Sequence, residues 1–239
     1  MVMPIQATLK NVIIGGALLG MAHGMSVKAN EDKITKGFNT FDAMGCMLLR
    51  ECTDGVKQVH TMLDVSTEYD DPERFTGVAR EFNMMVDALK VVGSNVYLAD
   101  EKYFPVGHRG VYHTVSNNMY LNKAYMHRPS ALMSVVRHEG WHAAQDCMAG
   151  TIKNNMIAII HNEEDVPMIW QELAKRTYRD MPHAIPWEKE ASWAGRTENM
   201  TMKALQSCAR GTMWTDYEPT PLTGEWLREN GYILSLIHI

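Results

Sequence analysis

The segment from residue 129 to residue 150 constrains the fold most, because it has the pattern of one long helix in the middle of the chain. Pro129 suits the first position of a helix, and Gly150 suits the position just after its end. At about 100° per residue, one face of this helix carries Ala131, Val135, His138, His142 and Gln145. The sequence therefore predicts a helix with two histidines, one turn apart, on the same side.

The sequence HEGWH, residues 138–142, has a spacing that suits metal binding. Side chains four apart on a helix have β-carbons about 6 Å apart, so His138 and His142 can direct ring nitrogens at one ion. Glu139 lies about 100° around the helix, where it can reach a water on that ion but is not an easy ligand. The pattern indicates a metal hydrolase site with Glu139 as general base; the alternative is a polar helix face without a metal.

The sequence also predicts the contacts of three residues near the two histidines. Gly140 faces away from them, so we expect another element to approach the helix closely on that side. Trp141 is expected to pack in the core. Gln145, one turn beyond His142, is expected either to fix the tautomer of an imidazole or to hydrogen-bond to backbone.

A catalytic zinc site usually has three protein ligands and one open position, so the two histidines require a further ligand. The extended motif H-E-x-x-H-x-x-G-x-x-H is excluded, because Gln145 and Met148 stand where it needs glycine and histidine. A G-T-x-x-D motif is also a poor match, because Asn154 ends one such segment and Asp216 comes one residue late in the other. A glutamate further along the chain is the remaining solution.

The segment IPWEKEASWAGR, residues 185–196, supplies two glutamates. Here the chain resembles the gluzincin-like branch of the zincins, zinc metallopeptidases whose third ligand is the first glutamate of an E-x-x-x-D motif, often E-x-E-A-D. Glu188, Glu190 and Ala191 match that motif. Ser192 stands where the family has an aspartate that orients a ligand histidine, and a serine would do so more weakly or through water.

The resemblance implies a fold, a cofactor and an activity. The fold would be α+β, a mainly helical zincin-like single domain with a small sheet or hairpin before the active-site helix. Zn²⁺ would be bound by His138, His142 and Glu188, with Glu190 as the second candidate for the third position, and Glu139 would act as general base. The expected activity is hydrolysis of peptide bonds in a peptide or protein substrate. The serine in the second motif leaves an alternative open, a non-catalytic zinc-binding or peptide-binding module on the same fold.

The helix that carries Glu188 has a face of small residues. Ala191, Ser192 and Gly195 share this face with Glu188. Small side chains let two helices approach closely, so we expect this face to pack against the helix that carries the histidines.

The residue that would stabilise an oxyanion is not assigned by the sequence. Four side chains follow the HEGWH segment and have suitable chemistry, but each is also compatible with a surface or loop position: His161, His183, Tyr178 and Tyr217.

Other elements follow from periodicity and from turn residues. Asp71, Pro72 and Gly93 delimit a helix with apolar residues at helical spacing. Residues 95–100 have the pattern of a strand, and residues 110–115 begin a hairpin that turns at residues 116–118. The second half is predicted to be mainly helical, with one continuous helix over residues 186–207. The resemblance implies that residues 110–115 form an edge strand that pairs with an extended substrate.

Residues 1–29 have the features of an export signal, and residues 30–239 are predicted to form one domain. Lys10 precedes an apolar run at residues 12–22, and residues 27–29 resemble a cleavage site. The run is too short to span a membrane, so we expect no stable span in the mature chain and a secreted or periplasmic location. The net charge of −5 and the lack of a Lys/Arg run argue against a nucleic-acid partner.

Four cysteines in an exported chain favour one or two disulfides, and three complete pairings are possible. Cys147 lies about 7.5 Å along its helix from His142, whereas an unbroken helix would carry Cys208 about 30 Å from Glu188. If Glu188 and His142 meet, Cys147 and Cys208 are therefore not expected to bond unless the second helix bends.

Overall fold

The computed structural model describes residues 40–153 and 156–217, so the predicted export signal lies outside the described residues. The described chain is a mixed α+β domain, as predicted, and none of its helices is long and apolar enough to cross a membrane. Its helices and strands, in chain order, are α1 (Thr40–Leu48), β1 (Val56–Val59), α2 (Met62–Ser66), α3 (Thr76–Val92), β2 (Asn95–Ala99), β3 (Gly110–His113), β4 (Asn118–Asn122), α4 (Pro129–Met148), α5 (Met168–Thr177), α6 (Ile185–Ala194), α7 (Met200–Arg210) and α8 (Met213–Asp216).

The four described strands form one sheet in the order β1-β2-β4-β3. β1 and β2 are antiparallel, β2 and β4 are parallel, and β3 and β4 form an antiparallel hairpin. The hairpin turn contains Asn117 at φ 53°, a left-handed conformation that asparagine tolerates. The predicted strand and hairpin are thereby confirmed, and β3 lies at the edge of the sheet against α4.

Side chains from β2 are buried on both faces of the sheet, so the protein has two apolar clusters. Val96 and Leu98 point into the larger cluster, which α3, α4 and α7 line. Tyr97 and Ala99 point into the smaller one, which is covered by α1. The sheet is thus enclosed by helices, and its edge strand β3 is held next to the helix that carries HEGWH.

The helix predicted from Asp71 to Gly93 is confirmed, with one difference at its start. Residues Pro72–Phe75 form a 3₁₀ turn, and the α-helix α3 begins after it. Gly93 ends the helix at φ 99°, a conformation that costs glycine little.

α4 contacts α3, α6, α7 and β3 and so lies at the centre of the domain. A Cβ on Gly140 would lie 3.0 Å from Thr201 Cγ2 on α7 and 3.2 Å from Met85 Cε on α3. The close approach predicted on that side of the helix is therefore confirmed. Trp141 is fully buried, as expected.

The predicted continuous helix over residues 186–207 is wrong. Residues 195–199 interrupt it, and Asn199 adopts a left-handed φ of 60°. The chain reverses there, so α7 packs back against α3 and α4. Cys208 on α7 thereby reaches Cys147 at the end of α4, and the two form a disulfide with a Cα–Cα distance of 6.0 Å. The expectation that this pair does not bond depended on an unbroken helix and is corrected for that reason.

Candidate metal centre

His138 and His142 on α4 meet Glu188 on α6 in one cluster. A ligand atom from each residue lies within 4.8 Å of the other two. His138 Nε2 is 3.2 Å from Glu188 Oε2, and His142 Nε2 is 3.6 Å from Glu188 Oε1. The two imidazole planes are inclined at 83°, so their nitrogens approach from different directions. Of the two candidate glutamates, Glu188 is the one that faces the histidines.

The spacing of these atoms is close to that found around a zinc ion. With Zn–N and Zn–O bonds of about 2.0–2.1 Å, two tetrahedral ligand atoms lie about 3.4 Å apart. The observed N–O distances of 3.2 Å and 3.6 Å are of that size, and each joins a different oxygen of Glu188. Oε2 of Glu188 is buried and has no hydrogen-bond partner within the described part of the chain, although His138 Nε2 lies 3.2 Å away. A buried acceptor without a donor is costly, and a cation at this point would satisfy it.

The charges in the cluster shift the pKa of two of its members in opposite directions. Burial acts to raise the pKa of Glu188, but His142 and His138 outweigh burial and lower it to about 2. Burial acts to lower the pKa of His138, but Glu188 and Glu139 outweigh burial and raise it to about 9. The carboxylates therefore keep a proton on His138 in the absence of another cation, and a metal ion would replace that positive charge.

Glu139 lies beside the cluster and is buried, with 8 % of its surface exposed. Burial raises its pKa, while His138, His142 and a hydrogen bond from the backbone N–H of Tyr112 act in the opposite direction. The result is a carboxylate whose proton affinity is higher than that of an exposed glutamate, next to a place where a metal-bound water would lie.

The edge strand β3 turns backbone groups toward Glu139. The N–H of Asn122 donates to the carbonyl of Arg109 across the hairpin. Because hydrogen-bonded and non-hydrogen-bonded pairs alternate in an antiparallel ladder, Gly110 and Tyr112 direct their N–H and C=O groups away from β4. The outward N–H of Tyr112 is the one that reaches Glu139.

Gly110 is needed for this close approach between β3 and α4. A Cβ at this position would lie 2.7 Å from Val135 Cγ1 and 3.1 Å from Glu139 Cγ. Any larger side chain would therefore push the edge strand away from the helix that carries the general-base candidate.

A backbone carbonyl supports His138 where the family motif would use an aspartate. His138 hydrogen-bonds to the carbonyl of Ala191, which raises the pKa of the imidazole in the same direction as a carboxylate would. Ser192 instead lines an open depression beside His138. The departure from the motif at Ser192 therefore does not leave His138 without a hydrogen-bond partner.

The small residues on α6 allow the close packing that brings Glu188 to the histidines. A Cβ on Gly195 would lie 3.0 Å from the carbonyl oxygen of Ser134 and 3.2 Å from His138 Cβ. Ala191 is fully buried on the same side. The predicted close contact between this face and the histidine helix is confirmed.

Glu190, the second candidate for the third metal ligand, accepts hydrogen bonds from other groups and does not face the two histidines. Its carboxylate accepts from Trp141 Nε1 at 3.2 Å, Gln145 Nε2 at 2.8 Å, the N–H of Ile160 at 3.0 Å and the N–H of His161 at 2.7 Å. Burial raises its pKa to about 7, and these donors oppose the shift. Glu190 is fully buried and lies outside the His138, His142 and Glu188 cluster.

Gln145 contacts both a ring nitrogen of His142 and a backbone carbonyl, so the expected backbone hydrogen bond is confirmed and the effect on the tautomer remains a prediction. Its Oε1 lies 2.8 Å from Nδ1 of His142, and its Nε2 donates to the backbone carbonyl of Trp187 at 3.2 Å. The same Nε2 donates to Glu190. Gln145 therefore connects His142, a predicted metal ligand, to Glu190, which lies outside the metal cluster.

Of the four side chains considered for an oxyanion, Tyr178 is the one that lies at the cluster. Burial raises the pKa of its hydroxyl, and the adjacent Glu188 carboxylate raises it further, so the hydroxyl remains a donor. His161 stacks on a tryptophan of α4, and Tyr217 packs against His161. His183 is exposed. No motif in the sequence marks Tyr178, which follows the end of α5 and is positioned by the packing of α5 on α6.

Compared with protein-family models, curated proteins and solved structures, the chain matches none of them. The resemblance to zincins thus depends on residues 138–142 and 188–191 alone.

Proposed function

We propose that this protein is a secreted zinc-dependent metallopeptidase. His138, His142 and Glu188 would hold Zn²⁺, and Glu139 would be the general base. The observation that carries the proposal is the convergence of two imidazole nitrogens on a buried carboxylate whose Oε2 lacks a donor, with a second buried carboxylate beside them.

The donor set suits hydrolysis of an amide. Zinc bound by two histidines and one glutamate would acidify a water and polarise a carbonyl group. Glu139 accepts the proton of the attacking water and delivers it to the leaving amine. Burial raises the pKa of Glu139, which supports this role because a base works best when its pKa approaches the working pH. The N–H of Tyr112 holds the Glu139 carboxylate in place during both transfers.

Two further features support a peptide as the substrate. The outer side of β3 turns the backbone groups of Gly110 and the carbonyl of Tyr112 away from β4, as in an edge strand that binds a peptide, while the N–H of Tyr112 is taken by Glu139. A depression of about 510 Å³ opens beside His138 between α4, α5 and α6, with Trp170 and Leu173 on its wall. The Tyr178 hydroxyl hydrogen-bonds to Glu188. If a metal ion takes over that carboxylate, the hydroxyl would be released to donate to the oxyanion that forms when the carbonyl is attacked.

The two disulfides support export. Cys46 pairs with Cys52 and Cys147 with Cys208, so no cysteine in the described part of the chain is free. Disulfides persist in the periplasm and outside cells and are rare in the cytosol. This agrees with the export signal predicted at residues 1–29, which remains a prediction.

The deciding experiment measures zinc content and peptide hydrolysis on the same samples of residues 30–239. We expect one zinc per chain and cleavage of a peptide library that a chelator abolishes. Glu139→Gln should retain zinc and lose cleavage, whereas His142→Ala should lose both. Glu164→Gln, an exposed glutamate on the same chain, is the matched control and should retain both.

The outcomes separate the proposal from its rivals. Protein without stoichiometric zinc would overturn the metal site itself. Zinc-replete protein that cleaves no peptide would favour the non-catalytic zinc-binding or peptide-binding module. Loss of zinc in Glu190→Ala but not in Glu188→Ala would overturn the assignment of the third ligand.

A further inference from the structure

A chain of buried hydrogen bonds runs from His142 away from the metal cluster. Nδ1 of His142 lies 2.8 Å from Oε1 of Gln145, and Nε2 of Gln145 lies 2.8 Å from Oε2 of Glu190. Gln145 and Glu190 are both fully buried. The chain therefore crosses from α4 to α6 without contact with solvent.

The direction of these hydrogen bonds is fixed by groups that can act in only one way. Nε2 of Gln145 also lies 3.2 Å from the carbonyl of Trp187, which can only accept, so the amide nitrogen must be on that side. Glu190 faces the backbone N–H groups of Ile160 and His161, which can only donate, so its carboxylate acts as an acceptor. Gln145 consequently turns its oxygen, an acceptor, toward His142.

We propose that Gln145 and Glu190 are positioning residues that hold His142 as the Nδ1–H tautomer. In that tautomer the lone pair of Nε2 points toward Glu188, which is the state a metal ligand requires. This inference rests on the proposed function for its purpose, because the tautomer matters only if Nε2 binds a metal. The tautomer itself can be measured without one.

The identity of Glu190 as a carboxylate is part of this inference. Trp141 Nε1 and Gln145 Nε2 donate to Oε2, the N–H of His161 donates to Oε1, and the N–H of Ile160 is shared between the two oxygens. A glutamine at position 190 would have only one oxygen. Its NH₂ group would then face N–H donors in place of the second carboxylate oxygen, and two donors cannot hydrogen-bond to each other. If its nitrogen faced Gln145, the Gln145 amide would have to reverse and donate to Nδ1 of His142. The imidazole would then carry its proton on Nε2 and lose the free lone pair.

The first test measures the tautomer of His142 by ¹⁵N NMR in metal-free protein, at a pH where the ring is neutral. The background is Glu188→Ala, which removes the acceptor that competes for a proton on Nε2. We expect the Nδ1–H tautomer, and we expect the added change Gln145→Met to shift His142 to the Nε2–H tautomer that a free histidine side chain favours. His138, whose partner is the carbonyl of Ala191, is the internal control and should not change. An Nδ1–H tautomer that persists in Gln145→Met would overturn the proposal.

The second test measures zinc affinity in variants that keep Glu188. Glu190→Gln preserves the volume of the side chain and should weaken zinc binding about 10- to 100-fold, the usual effect of losing a partner behind a metal ligand. Adding Gln145→Glu should restore part of the affinity, because the introduced carboxylate again accepts from Nδ1 and the amide at position 190 can donate to it. A double variant weaker than Glu190→Gln alone would show that the pair acts through packing and not through the tautomer.

The two proposals fail in different ways. If the wild-type protein binds no zinc, the peptidase proposal fails, but the NMR measurement still decides what Gln145 and Glu190 do. If zinc binds and peptides are cleaved while the tautomer is insensitive to Gln145, the present inference alone is overturned.

Discussion

Removal of the disulfide between Cys147 and Cys208 should cost much more stability than removal of the one between Cys46 and Cys52. A disulfide stabilises a protein by restricting the unfolded chain, and the effect grows with the length of the loop it closes. The sequence separation is 61 residues for the first pair and 6 for the second. The chain-entropy relation converts these lengths into about 4 kcal/mol and about 2 kcal/mol of unfolding free energy.

Urea unfolding of the two double-alanine variants tests this difference. Chelator should be present throughout, so that metal binding does not contribute to the measured free energy. With a slope of about 2 kcal/mol per molar, the difference of about 2 kcal/mol separates the two urea midpoints by about 1 M. The Cys46 and Cys52 variant is the matched control, because it also replaces a disulfide with two alanines. Equal losses, or a larger loss for the shorter loop, would refute the reasoning.

Three further predictions concern the candidate site. Gly110→Ala should lower peptide hydrolysis at least 10-fold with zinc retained, because the added Cβ displaces β3 from Glu139. Gly77→Ala is the control: its Cβ meets no atom within 4 Å, and it should stabilise α3 by about 1 kcal/mol in thermal unfolding. Tyr178→Phe should retain zinc and lower kcat by about 10²-fold if its hydroxyl binds the oxyanion, and an unchanged kcat would exclude that role. Zinc at a hundred times its Kd should raise the unfolding free energy by about 2.7 kcal/mol in wild type and not in His142→Ala, and an equal gain in both would place the ion elsewhere.

The parts of the site that depend on local sequence were predictable. The boundaries of α4 follow from Pro129 and Gly150, and the placement of His138 and His142 on one face follows from helical geometry alone. The close packing of α6 on α4 was predictable as well, because helical spacing places Gly195 on the same face as Glu188. Each of these inferences uses residues within one helix.

The choice between Glu188 and Glu190 was not decidable by that kind of reasoning. Two positions apart on a helix, these side chains point to nearly opposite sides, and either side of α6 could have faced α4. The donors around Glu190 decide the matter, because the N–H groups of Ile160 and His161 come from a segment about thirty residues earlier. Sequence spacing carries no signal for such a contact.

Two other misses have similar origins. β1 was not predicted because the two central residues of Val56–Val59 are exposed and its pattern lacks a buried alternation. The break between α6 and α7 was missed because Gly195 was interpreted only as a small packing residue. Asn199, which tolerates the left-handed conformation, was the available signal that the chain reverses.

The charge of the buried cluster favours a divalent cation over a merely polar helix face. Glu190 lies nearby but has four N–H donors of its own, so it needs no further positive charge. Glu139 and Glu188 are both buried and together carry two negative charges when ionised. Neutral imidazoles, the form in which His138 and His142 would act as ligands, do not balance them. One divalent ion balances both carboxylates at once and also gives the unpartnered oxygen of Glu188 a partner, whereas protonation of His138 supplies only one of the two charges.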